Sequence, residues 1–197
     1  MDADVRQREA LGGLSSARAT PRWPPRWPPG RAYTAFVSAY TVLPLDHRDR
    51  AVAERIHAVL KLAYAQEAAL LGVGQFEPLN TSIEDVQHSR DFHLGAVAGE
   101  ELLGALSVGP DDEPDQLCIA LLVVHPRAQR QGVGRALVTE ALQRGAGMVF
   151  AVSTAAGNAP ALALYRALGF VDHRRGTVGV EQLALIKLRR RPDAPRV

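Results

Sequence analysis

Residues 122–137, with the sequence LVVHPRAQRQGVGRAL, decide the fold of this protein. The stretch opens as an apolar strand, continues as a turn that contains Gly132 and Gly134, and then becomes helical. At the start of a helix, several backbone N–H groups have no partner within the helix, and the helix dipole is positive there. Because glycine also lets an anion approach the backbone closely, these residues predict a strand, turn and helix that together bind a phosphate group.

The spacing of the two glycines separates this turn from two common nucleotide-binding motifs. It lacks the Gly-x-Gly-x-x-Gly spacing of a dinucleotide-binding turn, and it lacks the lysine followed by serine or threonine that ends a P-loop. Sites for nicotinamide cofactors and for nucleoside triphosphates are therefore disfavoured. The glycine pair alone does not identify the ligand.

The rest of the chain predicts strands and helices that alternate around one sheet. Strands are predicted at residues 35–43, 92–98, 101–108, 117–124, 148–153, 169–173 and 182–188. Helices are predicted after an N-cap at Asp46 or Asp49 and at residues 81–89, 132–144 and 158–168. The order βααβββαβαββ indicates an α/β fold, and we expect the acidic loop at residues 111–115 to be exposed.

Composition divides the chain into a body and two basic ends. Residues 1–33 contain a near repeat of Arg-Trp-Pro-Pro, whose prolines favour extended backbone, so we expect a disordered extension there. Residues 34–190 are expected to form one domain, because a chain of 197 residues that is 47% hydrophobic can bury one sizeable core. Residues 191–197 are expected to form a basic tail. The net charge of +2 is carried by the ends, and residues 32–188, with 13 basic and 17 acidic residues, are at −4.

Several classes of protein are disfavoured by this composition. The apolar runs are too short to cross a bilayer and the first residues do not resemble a signal peptide, so we expect a cytoplasmic protein that binds no membrane. The basic ends lack interleaved aromatic residues on a folded face, which disfavours a nucleic-acid partner. Cys118, the single cysteine, lies in an apolar run and is expected to be a buried, inert thiol. The six histidines are scattered without metal-ligand spacing, so we predict no metal site.

Two motifs of this sequence resemble those of the GNAT acetyltransferase superfamily. The first is a strand, a V-x-P turn and then R/Q-x-x-G-x-G/A, and it stands here as VHP at residues 124–126 and QRQGVG at residues 129–134. The second, N-x-x-A-x-x-x-Y-x-x-x-G-F, consists here of Asn158, Ala161, Tyr165, Gly169 and Phe170. The resemblance covers about residues 34–188. It implies a mixed, mostly antiparallel sheet of six to seven strands with flanking helices, splayed between its fourth and fifth strands.

The resemblance also implies acetyl-CoA as the co-substrate and assigns residues to it. The residues expected to bind acetyl-CoA are Val123, Val124, Gln129, Arg130, Gln131, Gly132, Val133, Gly134, Arg135, Asn158, Ala161 and Tyr165. The backbone N–H of Val124 would polarise the thioester carbonyl, and one such donor is worth about 3 kcal/mol in other acyl-transfer enzymes. Tyr165 would protonate the departing thiolate as general acid. The alternative is a ring that only packs on the sheet, and the spacing of Tyr165 from Asn158 in the motif favours the catalytic role. Asn158 would bond the pantetheine, or cap a helix that begins before Pro160.

The general base has no candidate on the fourth strand. Many members of the superfamily carry a glutamate there, whereas residues 119–122 of this chain are Ile-Ala-Leu-Leu. An amine must lose its proton before it attacks, so water, a backbone carbonyl, His125, Glu77 or Ser153 would have to accept that proton.

The sequence thus favours an N-acetyltransferase that transfers an acetyl group from acetyl-CoA to a primary amine of a small molecule or a protein, by direct attack. The alternative is a non-catalytic module that binds acyl-CoA as a sensor or a scaffold. The charge of the body mildly favours cationic acceptors. The resemblance also allows a homodimer, although no residue of the chain fixes its stoichiometry.

Overall fold

The computed structural model describes residues 40–192 of the protein. The expected N-terminal extension, residues 35–39 of the first predicted strand and residues 193–197 of the basic tail lie outside the described part. In chain order the elements are β1 (Thr41–Pro44), α1 (Arg50–Leu71), α2 (Ile83–His88), β2 (Phe92–Ala98), β3 (Glu101–Pro110), β4 (Gln116–Val124), α3 (Val133–Arg144), β5 (Val149–Ala155), α4 (Ala159–Ala167), β6 (Val171–Val178) and β7 (Leu183–Arg190). Short 3-10 helices cover Glu77–Asn80 and Pro126–Ala128. The predicted order of strands and helices is confirmed.

The strands form one sheet in the order β1-β2-β3-β4-β5-β7-β6. All neighbours are antiparallel except β4 and β5, which run parallel. This parallel pairing is short, since it joins only residues 116–119 to residues 149–152. Beyond it, β4 continues to Val124 and β5 to Ala155 without pairing to each other. The predicted splay between the fourth and fifth strands is thus confirmed.

Helices cover both faces of the sheet. Successive residues of β3 point to opposite faces, so Leu106 packs in a core with Leu137 of α3, and Ala105 packs in a second core with Ile56 of α1. Each helix therefore buries one apolar side against its own face of the sheet. This arrangement places the C-terminal part of α1 over one face of the splay and the start of α3 at the end of β4.

The ends of the first two helices follow from local sequence. Asp49 is the N-cap of α1, where its carboxylate accepts a hydrogen bond from the N–H of Val52 (3.1 Å). The helix stops at Gly72, whose φ of 67° is readily adopted only by glycine. Ser82 and Asp85 form a reciprocal capping box at the start of α2. These contacts confirm the predicted helix starts and select Asp49 over Asp46.

The prediction for the acidic loop after β3 was wrong at its first residue. Asp111 is buried, and its carboxylate accepts a hydrogen bond from Nζ of Lys187 (2.9 Å), which is only 2% exposed on β7. A buried ammonium needs an opposite charge, so the loop folds inward to supply one.

The last hairpin is longer than predicted. The sequence placed the sixth strand at residues 169–173, whereas β6 pairs with β7 from Val171 to Val178. Because β6 lies at the edge of the sheet with mostly exposed side chains, no apolar alternation marks its second half in the sequence.

Candidate functional site

A cavity opens where β4 and β5 separate. Its walls include residues 119–122 of β4, residues 152–155 of β5, Tyr64 and Glu67 of α1, and Tyr165 of α4. The β6–β7 turn and the segment between α1 and α2 close the outer side. The splay therefore provides a slot between two strands that a flexible chain can enter from the end of β4.

The predicted phosphate turn lies at the end of β4, directly before α3. Arg130 and Gly132 both have left-handed backbone, with φ of 63° and 83°. The first backbone hydrogen bond of α3 runs from Ala136 to the carbonyl of Gly132, so the N–H groups of residues 133–135 have no acceptor within the helix. Such a helix start carries positive partial charge and free donors, which is the geometry that binds a phosphate.

Some side chains of this turn are exposed to solvent, and others are hydrogen-bonded to neighbouring residues. Arg130 and Arg135 are exposed beside the helix start, where their charge can meet an anion. The amide of Gln131 donates to the carbonyl of Arg127 (2.8 Å). Gln129 exchanges hydrogen bonds with Gln66 of α1 (2.8 and 3.2 Å).

The buried valines of the predicted acetyl-CoA site contribute through their backbone. The side chains of Val123 and Val133 are 2% and 1% exposed, and each lies in a hydrophobic core. Gly134 has no side chain, and a Cβ there would make only ordinary van der Waals contact with the side chains of Leu164 and Val124, at 3.4 and 3.6 Å. Backbone amides are thus the groups that the turn offers to a ligand at these three positions.

The backbone of Val124 faces the gap between the strands. The N–H of His125 donates to the carbonyl of Leu103 on β3 (2.8 Å), and successive residues of an antiparallel strand face alternate sides. The N–H and C=O of Val124 therefore point away from β3, toward the side where β5 has diverged. Its carbonyl accepts from the amide of Gln129 (3.3 Å). Its N–H is directed into the gap, as its predicted role requires.

Asn158 caps α4 and also contacts α1. Its Oδ1 accepts a hydrogen bond from the N–H of Ala161 (3.1 Å), and its Nδ2 donates to Oε1 of Glu67 (2.8 Å). The N-cap interpretation from the sequence is confirmed. Both residues line the cavity, so this hydrogen bond connects α1 to the start of α4 there.

Tyr165 combines packing with access to the cavity. It is only 4% exposed and packs edge-on against Phe170, with 5.5 Å between ring centroids. Burial, together with the nearby charges of Glu67 and Cys118, raises the pKa of Tyr165 above the usual range of a phenol. The phenol therefore keeps its proton at neutral pH, which a general acid requires. Cys118 is buried, as predicted.

Glu67 is a site residue that the sequence analysis missed. It follows the buried Ile56 and Leu60 by eleven and seven positions, which places it on the core-facing side of α1. Burial raises the pKa of the Glu67 carboxyl, and the hydrogen bond from Asn158 lowers it by a smaller amount. A carboxylate on an otherwise apolar helical face was the signal available in the sequence.

The three residues proposed from the sequence as proton acceptors lie in different places. Glu77 and Ser153 line the cavity. His125 does not, and its Nδ1 accepts a hydrogen bond from the N–H of Arg127 (3.2 Å) within the turn. The structure therefore brings Glu77 and Ser153, but not His125, to the cavity that contains Tyr165.

The cavity is acidic. Its carboxylates are Glu67, Glu77, Asp85, Asp91 and Glu181, and no lysine or arginine lies among the described residues that line it. Burial, followed by the effect of His47, lowers the pKa of the lining residue His93 to about 3, so this imidazole is neutral. The cavity thus presents negative potential to a ligand.

Two further observations on the described residues concern metal sites and membrane-spanning helices. Between residues 40 and 192, His, Cys, Asp and Glu side chains nowhere form a group of three that could hold a metal ion. None of the helices in the same range has the length and apolar character needed to span a bilayer.

Comparison with known proteins supports the same fold. Solved structures with this fold include the ribosomal-protein-S18-alanine N-acetyltransferase from Escherichia coli, 18% identical, with a TM-score of 0.59 over 80% of this chain and 96% of that one. The PaiA N-acetyltransferase from Thermoplasma acidophilum, solved in complex with coenzyme A, is 17% identical, with a TM-score of 0.60 over 76% and 97% of the two chains. An acetyltransferase from Thermus thermophilus is 22% identical, with a TM-score of 0.56 over 79% and 98%.

Sequence comparison identifies the family. The UPF0157 protein YqkA from Bacillus subtilis is 32% identical over 127 residues, which are 64% of this chain and 36% of that protein. The chain thus spans about a third of the length of this relative. The profile of the Acetyltransferase (GNAT) family matches residues 57–170, more than half of the chain, and includes both motifs and the turn before α3. The protein therefore belongs to the GNAT acetyltransferase family.

Proposed function

We propose that this protein transfers an acetyl group from acetyl-CoA to a primary amine, by direct attack of the amine on the thioester. One observation carries the proposal: β4 and β5 separate beside a helix start rich in free N–H groups, and Tyr165 lies within the resulting cavity. The turn can hold the diphosphate, the slot can hold the pantetheine, and the phenol can meet the thiol.

The residues at the end of β4 would bind and polarise the co-substrate. The N–H groups at residues 132–134, of which Val133 and Gly134 have no acceptor within α3, would bind the diphosphate together with the exposed Arg130 and Arg135. The N–H of Val124, directed into the gap, would donate to the thioester carbonyl and stabilise the negative charge that develops on its oxygen. Tyr165 would then donate its proton to the departing thiolate.

The chemistry of the cavity favours a cationic acceptor. An alkyl amine is an ammonium ion at neutral pH, and the cavity offers five carboxylates with no lysine or arginine among its described lining residues. We therefore propose amines that carry a second positive charge as preferred acceptors, whether small molecules or protein side chains. Screening by salt should weaken this preference, because part of the attraction acts through solvent.

The test is release of the CoA thiol from acetyl-CoA in the presence of a panel of amines. The panel should pair spermidine and agmatine with tyramine and with the monocationic butylamine. The proposal expects thiol release with at least one amine and a higher kcat/KM for spermidine and agmatine, which carry more than one positive charge. Binding of CoA without thiol release for any amine would contradict it and favour the alternative of an acyl-CoA sensor or scaffold.

A further inference from the structure

Residues 119–122 of β4 carry no side chain that could accept a proton, whereas α1 brings a carboxylate to the same cavity. We propose that Glu67 of α1 accepts the proton that the acceptor ammonium must lose before it attacks the thioester. This inference rests on the proposed N-acetyltransferase function. It gives a residue of α1 the role of general base, because residues 119–122 of β4 include no carboxylate.

The position of Glu67 is fixed by its contacts. Ile56 and Leu60, on the same side of α1, are buried in the core against β3 and β4, which fixes that side of the helix on the sheet. Asn158, the N-cap of α4, donates from Nδ2 to Oε1 of Glu67 at 2.8 Å. Among residues 40–192, Oε2 of Glu67 has no hydrogen-bond partner, so this oxygen is available to a ligand in the cavity.

The other carboxylates of the cavity have structural partners or lack a contact that fixes them beside α4. Asp85 belongs to the capping box of α2, and Glu181 accepts from the N–H groups of residues 74 and 75. Asp91 accepts from Ser107, and it packs so tightly on Gly109 that a Cβ there would lie 2.0 Å from Oδ1. Glu77 lies in the 3-10 helix between α1 and α2 and, among the described residues, no hydrogen bond holds its carboxylate beside α4 as Asn158 holds that of Glu67.

Glu67 also has the electrostatic character of a proton acceptor. Burial raises the pKa of its carboxyl, which strengthens it as a base. Glu67 and Tyr165 line the same cavity, and the charge of Glu67 contributes to the raised pKa of Tyr165. The titratable groups that share the cavity with Glu67 are Tyr64, Glu77, Asp85, Asp91, His93, Tyr165 and Glu181.

The proton balance of the step is complete with these two residues. Oε2 of Glu67 takes one proton from the ammonium, and the nitrogen lone pair then forms the N–C bond to the thioester carbonyl carbon. As the C–S bond breaks, sulfur takes the proton of Tyr165, and the Tyr165 oxygen recovers a proton from the nitrogen of the intermediate. Glu67 finally releases its proton to solvent. One ammonium and one thioester give one amide, one thiol and one proton.

Glu67→Gln distinguishes two roles of Glu67, that of a proton acceptor and that of a residue that only positions its neighbours. The glutamine carbonyl can still accept the hydrogen bond from Asn158, but it cannot act as a base. With spermidine as acceptor, or the best amine of the panel, we expect kcat/KM for the amine to fall about 10²–10⁴-fold at pH 7. The KM for acetyl-CoA should stay unchanged. Residual activity should climb as the pH rises, because a growing fraction of the amine is then already neutral. Glu67→Asp, which retains a carboxylate, should recover part of the loss.

Two control variants sharpen the comparison. Glu54→Gln removes an exposed carboxylate from the same helix, outside the cavity, and should leave kcat/KM unchanged. Glu77→Gln should raise the KM for the amine without changing the pH profile. Circular dichroism melting of each variant detects loss of folding.

The outcomes distinguish the assignment from the proposed function. A folded Glu67→Gln protein with the kcat/KM and pH profile of the wild type would overturn the assignment of Glu67 alone. If Glu77→Gln, rather than Glu67→Gln, lost activity at pH 7 and regained it as the pH rises, Glu77 would be the proton acceptor. The assignment of Glu67 would then be overturned. A wild-type protein that binds CoA but releases no thiol with any amine would overturn the proposed function and this assignment together.

Discussion

Replacing Tyr165 by phenylalanine isolates the general-acid role from packing. The ring is 4% exposed and packs edge-on against Phe170, and phenylalanine keeps both features while removing only the hydroxyl. No hydrogen bond of that hydroxyl to another described residue is lost, so we expect the free energy of unfolding to change by less than about 1 kcal/mol. Turnover, in contrast, depends on the proton of that hydroxyl.

General acid catalysis contributes about 10²–10⁴-fold to a rate, which corresponds to about 3–5 kcal/mol of transition-state stabilisation. Tyr165→Phe should lower kcat by this factor, measured as thiol release at saturating acetyl-CoA and amine. The dissociation constant for CoA, measured by calorimetry, should change less than about twofold. An unchanged kcat would remove Tyr165 from the mechanism. A loss of kcat accompanied by a large loss of stability would show that the hydroxyl acts through the fold instead.

Two further predictions concern the phosphate turn and the buried ion pair. Gly132→Ala places a Cβ on backbone with φ of 83°, which costs about 1–2 kcal/mol, so the Kd for CoA should rise about 5- to 30-fold as the turn relaxes. Gly147→Ala, at φ of 89° with open space around it, is the matched control and should lose stability without losing affinity; equal effects on affinity would contradict the role of the turn. Lys187→Met leaves Asp111 buried without its counter-charge and should lower the free energy of unfolding by about 3–5 kcal/mol in a urea titration. Adding Asp111→Leu should restore part of that loss, and a double variant no more stable than Lys187→Met would refute this explanation.

Local sequence was sufficient to predict much of the fold. The strand, turn and helix around Gly132, the cap at Asp49 and the capping box at Ser82 depend on residues close together in the chain. The resemblance of two motifs added the splay between β4 and β5, which the pairing of residues 116–119 with residues 149–152 confirms. The caps and the turn involve residues that are close together in the chain, and the splay was implied by the resemblance of the two motifs.

The features that sequence analysis missed depend on contacts between distant parts of the chain. The hydrogen bond between Glu67 and Asn158 joins residues 91 positions apart, and the ion pair between Asp111 and Lys187 joins residues 76 positions apart. Neither is visible in a local pattern, because each partner alone is an ordinary polar residue of a helix, a loop or a strand. The sequence could have marked Glu67 and Lys187 only as polar residues on otherwise apolar faces.

Acetyl-CoA binding in the splay is tested most directly by a crystal structure of the protein with CoA. The proposal predicts the diphosphate within hydrogen-bond distance of the N–H groups at residues 132–134, and the sulfur between the N–H of Val124 and the hydroxyl of Tyr165. CoA bound elsewhere, or with its sulfur outside the gap between β4 and β5, would contradict the proposed function.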